Sequence, residues 1–436
     1  MSHPTTTSDV TTALRDRARR LDRPLRVVVG GNASVPWTLL RLLDEGVTEF
    51  ELFMLNAPRG IPTRAGVRLV TPFVGPGMRG QPGLSYLPAR LSHVPTLMSR
   101  RFVPDVVLVT VSAPDGVGAF SLGAEVNILP AAIEACRASD GLVLAESRAD
   151  MPFTFGDAEL GAHDLDAVLL DVHPPAGNGH VAVPVSPEVD RIGEHVAVRV
   201  GSGATLQLGI GAIPDAVVPR LTDRRRLGVW SEMVSDGILH LDDAGSLHPD
   251  REVVASFAVG GPRLMSWLHG NPRVRMLRTE VVNDPGHIAA NPAMTSINTA
   301  LSVDLFDQAN GSHIGSRLHS GFGGQCDFVV GAMDSPGGQA ILAVRSWHPR
   351  ADVSAIVGLL EGPVTSFQHT AVVTEQGCAD IMGWDAQAQA RHLIEHAAHP
   401  SVRAELWEEA RDLGLGEAQP ASGTGKAGHA CSSPTS

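Results

Sequence analysis

Residues 26–43, RVVVGGNASVPWTLLRLL, and residues 203–221, GATLQLGIGAIPDAVVPRL, follow one grammar. Each passes from an apolar strand through a glycine-rich turn into an apolar helix with a proline near its start, which is half of a βαβ unit. In the first stretch the pattern predicts a strand over Leu25–Val29 and a helix over 37–43. A β-branched run at 105–111, a helical pattern at 124–138 and a short strand at 141–146 continue the alternation, which indicates a parallel sheet wound with helices. The restart near residue 200 then divides the chain into two similar α/β domains, each with an open, mostly parallel sheet. Expected boundaries are a flexible N-terminus at 1–23, an N-terminal domain at 24–190 and a C-terminal domain at 191–416. A polar, proline-bearing stretch at 184–195 separates the domains, and the composition of 417–436 predicts a disordered tail.

The bulk properties agree with this reading. At 436 residues the chain exceeds what one hydrophobic core serves. Apolar residues make up 43% and aromatic residues only 4%, so Val, Leu, Ile and Ala fill the cores, as suits parallel sheets covered on both faces. A formal charge of -13 argues against binding to nucleic acid or an anionic membrane. Because Lys426 is the only lysine, a polyanionic ligand must be met by arginines. Cys136, Cys326, Cys378 and Cys431 lack CxxC spacing, so neither a disulfide framework nor a zinc site is indicated, and no metal is expected. The first residues mix both charges without the apolar core of a signal peptide, and no apolar run approaches membrane-spanning length. A cytoplasmic location is expected.

Several segments can carry chemistry. The turn Gly209-Ile210-Gly211 follows a strand and precedes a helix, a geometry that presents backbone amides to a phosphate. It lacks the third glycine of a dinucleotide fingerprint, as does Gly30-Gly31-Asn32, which disfavours a nicotinamide dehydrogenase. Glu232, in GVWSEMVSDG, falls just past a short apolar strand, at the edge where open α/β sheets bind ligands. Taken singly, Glu232 reads equally as a helix cap or an ion-pair partner. Asn283 in VVNDPG and the glycines of HSGFGGQCDF read equally as turn residues.

Taken in order, SAPDGVGAFSLG (112–123), GATLQLGIGAIPDAV (203–217), SEMVSDG (231–237), VVNDP (281–285), SINTALSVDLFDQANG (296–311), SGFGGQCDFVVGA (320–332) and VVTEQGCADIMG (372–383) resemble the acetyl-CoA hydrolase/transferase family. The resemblance is strongest to its 4-hydroxybutyrate and butyryl CoA-transferases and runs from about residue 24 to 413.

The resemblance implies two similar α/β domains with the active site between them, and CoA exchange between an acyl-CoA and a short-chain carboxylate. It implies that Glu232 is the nucleophile and that the Asn283 amide and the Gly324 N–H form an oxyanion hole. Gly209, Ile210, Gly211, Ala212, Ile213, Leu301, Ser320 and Gly323 are implied at the CoA site. CoA and acyl-CoA are substrates, and no permanently bound cofactor is implied. Where many relatives carry lysines around the glycine pair after this cluster, this chain reads Ser335-Pro336-Gly337-Gly338-Gln339. Arg224, Arg225, Arg226 and Arg345 are the candidates to replace them, and Glu375 is a second carboxylate for which a structural role is expected. A hydrolase on the same scaffold and a CoA-binding protein without turnover are the alternatives. A homodimer is the expected assembly.

Overall fold

The computed structural model describes residues 5–32, 34–173, 185–209, 211–364 and 368–416. They form two compact units. One gathers Met1–Val181, Ser231–Asp236 and Glu252–Asp284; the other gathers Ala182–Trp230, Gly237–Arg251 and Pro285–Ser436.

The first unit is built on Leu25–Val29, the strand expected from the opening motif. It lies inside a seven-stranded sheet whose spatial order is Ala167–Leu169, Leu142–Ser147, Val106–Val111, Leu25–Val29, Phe50–Phe53, Val67–Thr71 and Ser85–Tyr86. Every pairing is parallel. Val106–Val111 is buried at all positions, as a strand covered on both faces must be. Winding reverses beside Leu25–Val29, so the turn Gly30-Gly31 leaves the sheet at a topological switch point. Gly31 is required there, since a Cβ would sit 2.1 Å from the Leu55 carbonyl oxygen.

Two segments differ from expectation. Residues 7–19, expected to be flexible, form the helix Thr7–Arg19, started by a Thr6/Asp9 capping box and seated by buried Val10 and Leu14. Two apolar residues among many charges are too sparse a stripe to read from sequence. The helix expected over 124–138 starts only at Leu129. Its first residues serve instead as a tether: Ala258 N–H donates to the Ala124 carbonyl, and Val126 and Asn127 N–H both donate to that of Ser256. Asn127 has φ +25°, and the helix begins beyond it with Pro130 in its first turn.

In the second unit Gly228–Trp230, Thr205–Leu208, Met294–Asn298, Gln339–Ala343 and Ala371–Thr374 pair side by side in parallel, and Gly377–Asp380 closes the row antiparallel. The α/β class with mostly parallel sheets is therefore as expected. Past residue 399 a 3-10 turn, Pro400–Val402, runs into the helix Arg403–Asp412. The tail at 417–436 lies outside the described residues.

Glu146, on the Leu142–Ser147 strand, is buried and accepts from Thr38 and Leu39 N–H at 2.9 and 3.2 Å, at the start of the helix Trp37–Gly46. Burial pushes its carboxyl up from 4.5 to about 7, against the pull of those amides. The folded protein thus holds this proton more tightly than the unfolded chain does. The resulting stabilisation is complete below pH 4.5 and is lost as pH rises through about 7. A difference of this size corresponds to at most ~3 kcal/mol. Glu146→Gln should gain on the wild type by up to that amount between about pH 4.5 and 8 in denaturant titrations. Parallel pH profiles for the two proteins would contradict this.

Candidate functional site

Glu232 follows the strand Gly228–Trp230 by two residues and is half-buried. Its backbone is held on both sides. The Glu232 carbonyl accepts from Ser256 and Phe257 N–H at 2.9 and 3.1 Å, and the next strand, Met233–Ser235, pairs in parallel with Phe257–Val259. Asn283 is completely buried at the end of the short helix Thr279–Val282, where its N–H donates to the Thr279 carbonyl at 2.9 Å. The Asn283 Nδ2 donates to Glu232 Oε2 at 3.1 Å. Two residues that the sequence singled out separately therefore meet within the first unit.

The pairing has a chemical meaning. A carboxylate is a weak nucleophile that gains from being oriented and partly withdrawn from water. Here a fixed donor already addresses one of its oxygens, the atom that would carry negative charge if the Glu232 carboxyl carbon were itself attacked. The neighbouring Asp236 is engaged differently, accepting Gly261 N–H on both oxygens at 3.0 Å.

The other expected residues lie in the second unit. Gly209, Gly211, Ala212 and Ile213 form the turn from the strand Thr205–Leu208 into the helix Ala212–Val217, while Ile210 lies outside the described residues. Gly211 adopts φ 115° and ψ -174°, a conformation open only to glycine. Leu301, past the strand Met294–Asn298, donates its N–H to the Asn310 carbonyl at 2.8 Å, and its own carbonyl contacts His348 Nε2 at 2.6 Å. Ser320 N–H donates to the Ser312 carbonyl at 3.1 Å. Gly323 has φ 54°, and Gly324 is the N-cap of the helix Gln325–Asp334. The Gly209 turn, Leu301 and Arg345 each follow the carboxyl end of a parallel strand, the edge at which such sheets bind ligands.

The arginine cluster is largely absorbed by the fold. Arg224 donates to the Val200 and Ala197 carbonyls at 2.7 and 3.2 Å, Arg225 to those of Thr222 and Arg224 at 3.0 and 2.9 Å, and Arg226 contacts His248 at 2.7 Å. Arg345 is half-buried, two residues beyond Gln339–Ala343. Glu375 is buried and accepts from both the amide and the hydroxyl of Ser346. Among the described residues no group of three or more His, Cys, Asp and Glu side chains could hold a metal ion. The residues that fix the Glu232 backbone, Ser256 and Asn127, were not visible beforehand; an asparagine in an otherwise apolar stretch was the only signal.

The acetyl-CoA hydrolase/transferase C-terminal domain matches residues 260–410. A 4-hydroxybutyrate coenzyme A transferase of Clostridium kluyveri is 38% identical over 337 residues, covering 74% of this chain and 76% of the relative. The chain belongs to the acetyl-CoA hydrolase/transferase family. A succinyl-CoA:acetate/propanoyl-CoA:succinate CoA transferase of Fasciola hepatica is 34% identical over 411 residues, 88% of this chain and 84% of the relative. The solved 4-hydroxybutyrate CoA-transferase of Porphyromonas gingivalis matches with a TM-score of 0.75 at 30% identity, over 92% of this chain and 97% of that one. Among the described residues no helix is long and apolar enough to cross a membrane.

The two glycines of the Gly209 turn separate strain from space. At Gly211 a Cβ would have no atom within 4 Å, yet the backbone conformation excludes it, so Gly211→Ala should cost about 1–3 kcal/mol. At Gly209 the nearest atom to a Cβ is Pro214 Cγ at 4.0 Å, so Gly209→Ala should leave stability unchanged. Equal losses in denaturant unfolding would contradict this.

Proposed function

We propose that this protein is a CoA-transferase that moves CoA from an acyl-CoA, acetyl-CoA foremost, to a short-chain carboxylate such as 4-hydroxybutyrate, butyrate or propionate, with Glu232 as the covalent nucleophile. The observation that carries the reading is the half-buried Glu232 carboxylate bonded at 3.1 Å by the Asn283 amide.

Glu232 attacks the thioester carbonyl carbon, the C–S bond breaks, and an acyl-glutamyl anhydride and CoA thiolate result. The thiolate attacks the glutamyl carbonyl carbon, and the first acid leaves as its carboxylate with the electron pair of the broken C–O bond, giving a glutamyl-CoA thioester. A second carboxylate then runs the sequence in reverse. No redox step or net proton transfer is needed. Attack at the Glu232 carbon places charge on an oxygen that Asn283 Nδ2 faces, so Asn283 serves that tetrahedral intermediate; attack at the acyl carbon calls for a separate donor, which we assign to the Gly324 N–H.

The CoA site in this reading comprises Gly209, Ile210, Gly211, Ala212, Ile213, Leu301, Ser320 and Gly323. Arg345 supplies phosphate-binding charge in place of the missing lysines, since Arg224 and Arg225 already serve backbone carbonyls. A cytoplasmic location and a homodimeric assembly belong to the same proposal. The hydrolase alternative has the same intermediates, resolved by water.

With acetyl-CoA and butyrate together, butyryl-CoA should form without release of free thiol. Thiol release at a matching rate would make the enzyme a hydrolase, and neither product would make it a binder. Asn283→Ala should lower kcat by about 10²–10³ with little change in KM, because the bond strengthens in the transition state. A variant altered only in KM would place Asn283 in ground-state binding.

A further inference from the structure

Glu125 is buried in the first unit among amides. Asn32 Nδ2 donates to both of its oxygens at 2.9 and 3.0 Å, and Asn127 Nδ2 donates to Oε1 at 2.6 Å. Asn32 Oδ1 in turn accepts from Asn56 Nδ2 at 2.9 Å. The turns after two adjacent strands, Leu25–Val29 and Phe50–Phe53, thereby converge on one carboxylate. All three asparagines have left-handed backbones, with φ 46° at Asn32 and Asn56 and φ 25° at Asn127. Burial pushes the Glu125 carboxyl up to about 7, while the Asn32 and Asn127 amides pull it down. Such a network restricts conformation, because each member fixes the next.

What it restricts is the backbone of one residue, Asn127. Asn127 N–H donates to the Ser256 carbonyl at 3.0 Å, and Ser256 N–H donates to the Glu232 carbonyl at 2.9 Å. The Asn127 carbonyl accepts Thr279 N–H at 2.9 Å, at the start of the short helix that ends in Asn283. With the Asn283 to Glu232 side-chain bond these contacts close a ring through Glu232, Ser256, Asn127, Thr279 and Asn283. Both chemical groups are thus hung from the backbone N–H and carbonyl of Asn127, and Asn127's side chain is held by Glu125.

We propose that Glu125 is a positioning residue for the reaction: by fixing the Asn127 side chain it holds the left-handed Asn127 backbone that sets the Glu232 carboxylate and the Asn283 amide at bonding distance. This rests on the reading of Glu232 as nucleophile. Glu125 touches neither substrate nor the reacting atoms. Its loss lets the two anchored segments drift, and small misplacements of reacting groups carry large rate penalties. Binding of CoA is left intact.

The test uses the full chain and measures formation of a CoA adduct on Glu232 from acetyl-CoA, alongside kcat, KM and melting temperature. Absence of the adduct in the wild type would overturn the nucleophile reading itself, so the two failures stay distinct. With the adduct present, Glu125→Ala should slow its formation and lower kcat by about ten- to a hundredfold with KM within about twofold. Glu125→Gln, which keeps an acceptor for Asn127, should recover most of that loss. Asn127→Gly should lower kcat similarly, and adding Glu125→Ala to it should cost little more, because the glutamate acts through the asparagine. Wild-type kcat in Glu125→Ala, fully additive losses, a change in KM alone, or losses that only follow melting temperature would each overturn the proposal. Should Glu125→Ala not fold, Asn127→Gly carries the test, and wild-type kcat in that variant would overturn it.

Discussion

The hydrogen bond from Asn283 to the Glu232 carboxylate joins residues 51 positions apart, and neither holds its place by local structure. Glu232 lies in a loop, and Asn283 ends a helix of only 4 residues, Thr279–Val282, far too short to be stable alone. Their distance is set by tertiary backbone bonds. The first unit supplies these through the 124–128 segment, which gives up a helical start to become a tether. An exposed glutamate could ionise as well, but it would keep its hydration and sample many rotamers. In the proposed mechanism, half-burial and a fixed donor turn an ordinary side chain into an oriented nucleophile.

In the proposed mechanism the thioester supplies the driving force and each covalent intermediate conserves it. What the protein must provide is placement and a little charge stabilisation. The proposed positioning role gives a reason for the buried polar groups around Glu125, where a carboxyl group is retained although burial opposes its charge. Glu375 shows a contrast in setting: it is buried, and both Ser346 donors engage it.

Much of this was legible from sequence. The opening motif gave the strand Leu25–Val29 to the residue, since a β-branched run between a proline and two glycines has few other outcomes. The order of seven motifs carried the family. The departures have physical causes: sparse apolar spacing hid the helix Thr7–Arg19, and a helical pattern at 124–138 masked a segment tied by long-range backbone bonds to Ser256, Ala258 and Thr279. The Glu125 network was invisible for the same reason. Asn32, Asn56 and Asn127 share no periodicity, and only the sheet topology brings Asn32 to the carboxylate and Asn56 to Asn32.

The most direct measurement is mass mapping of the covalent intermediate after incubation with acyl-CoA and no acceptor, followed by proteolysis. A CoA adduct on the peptide bearing Glu232, lost in Glu232→Ala, is the expected result. An adduct on the peptide bearing Glu375, or one that persists in Glu232→Ala, would contradict the assignment of the nucleophile.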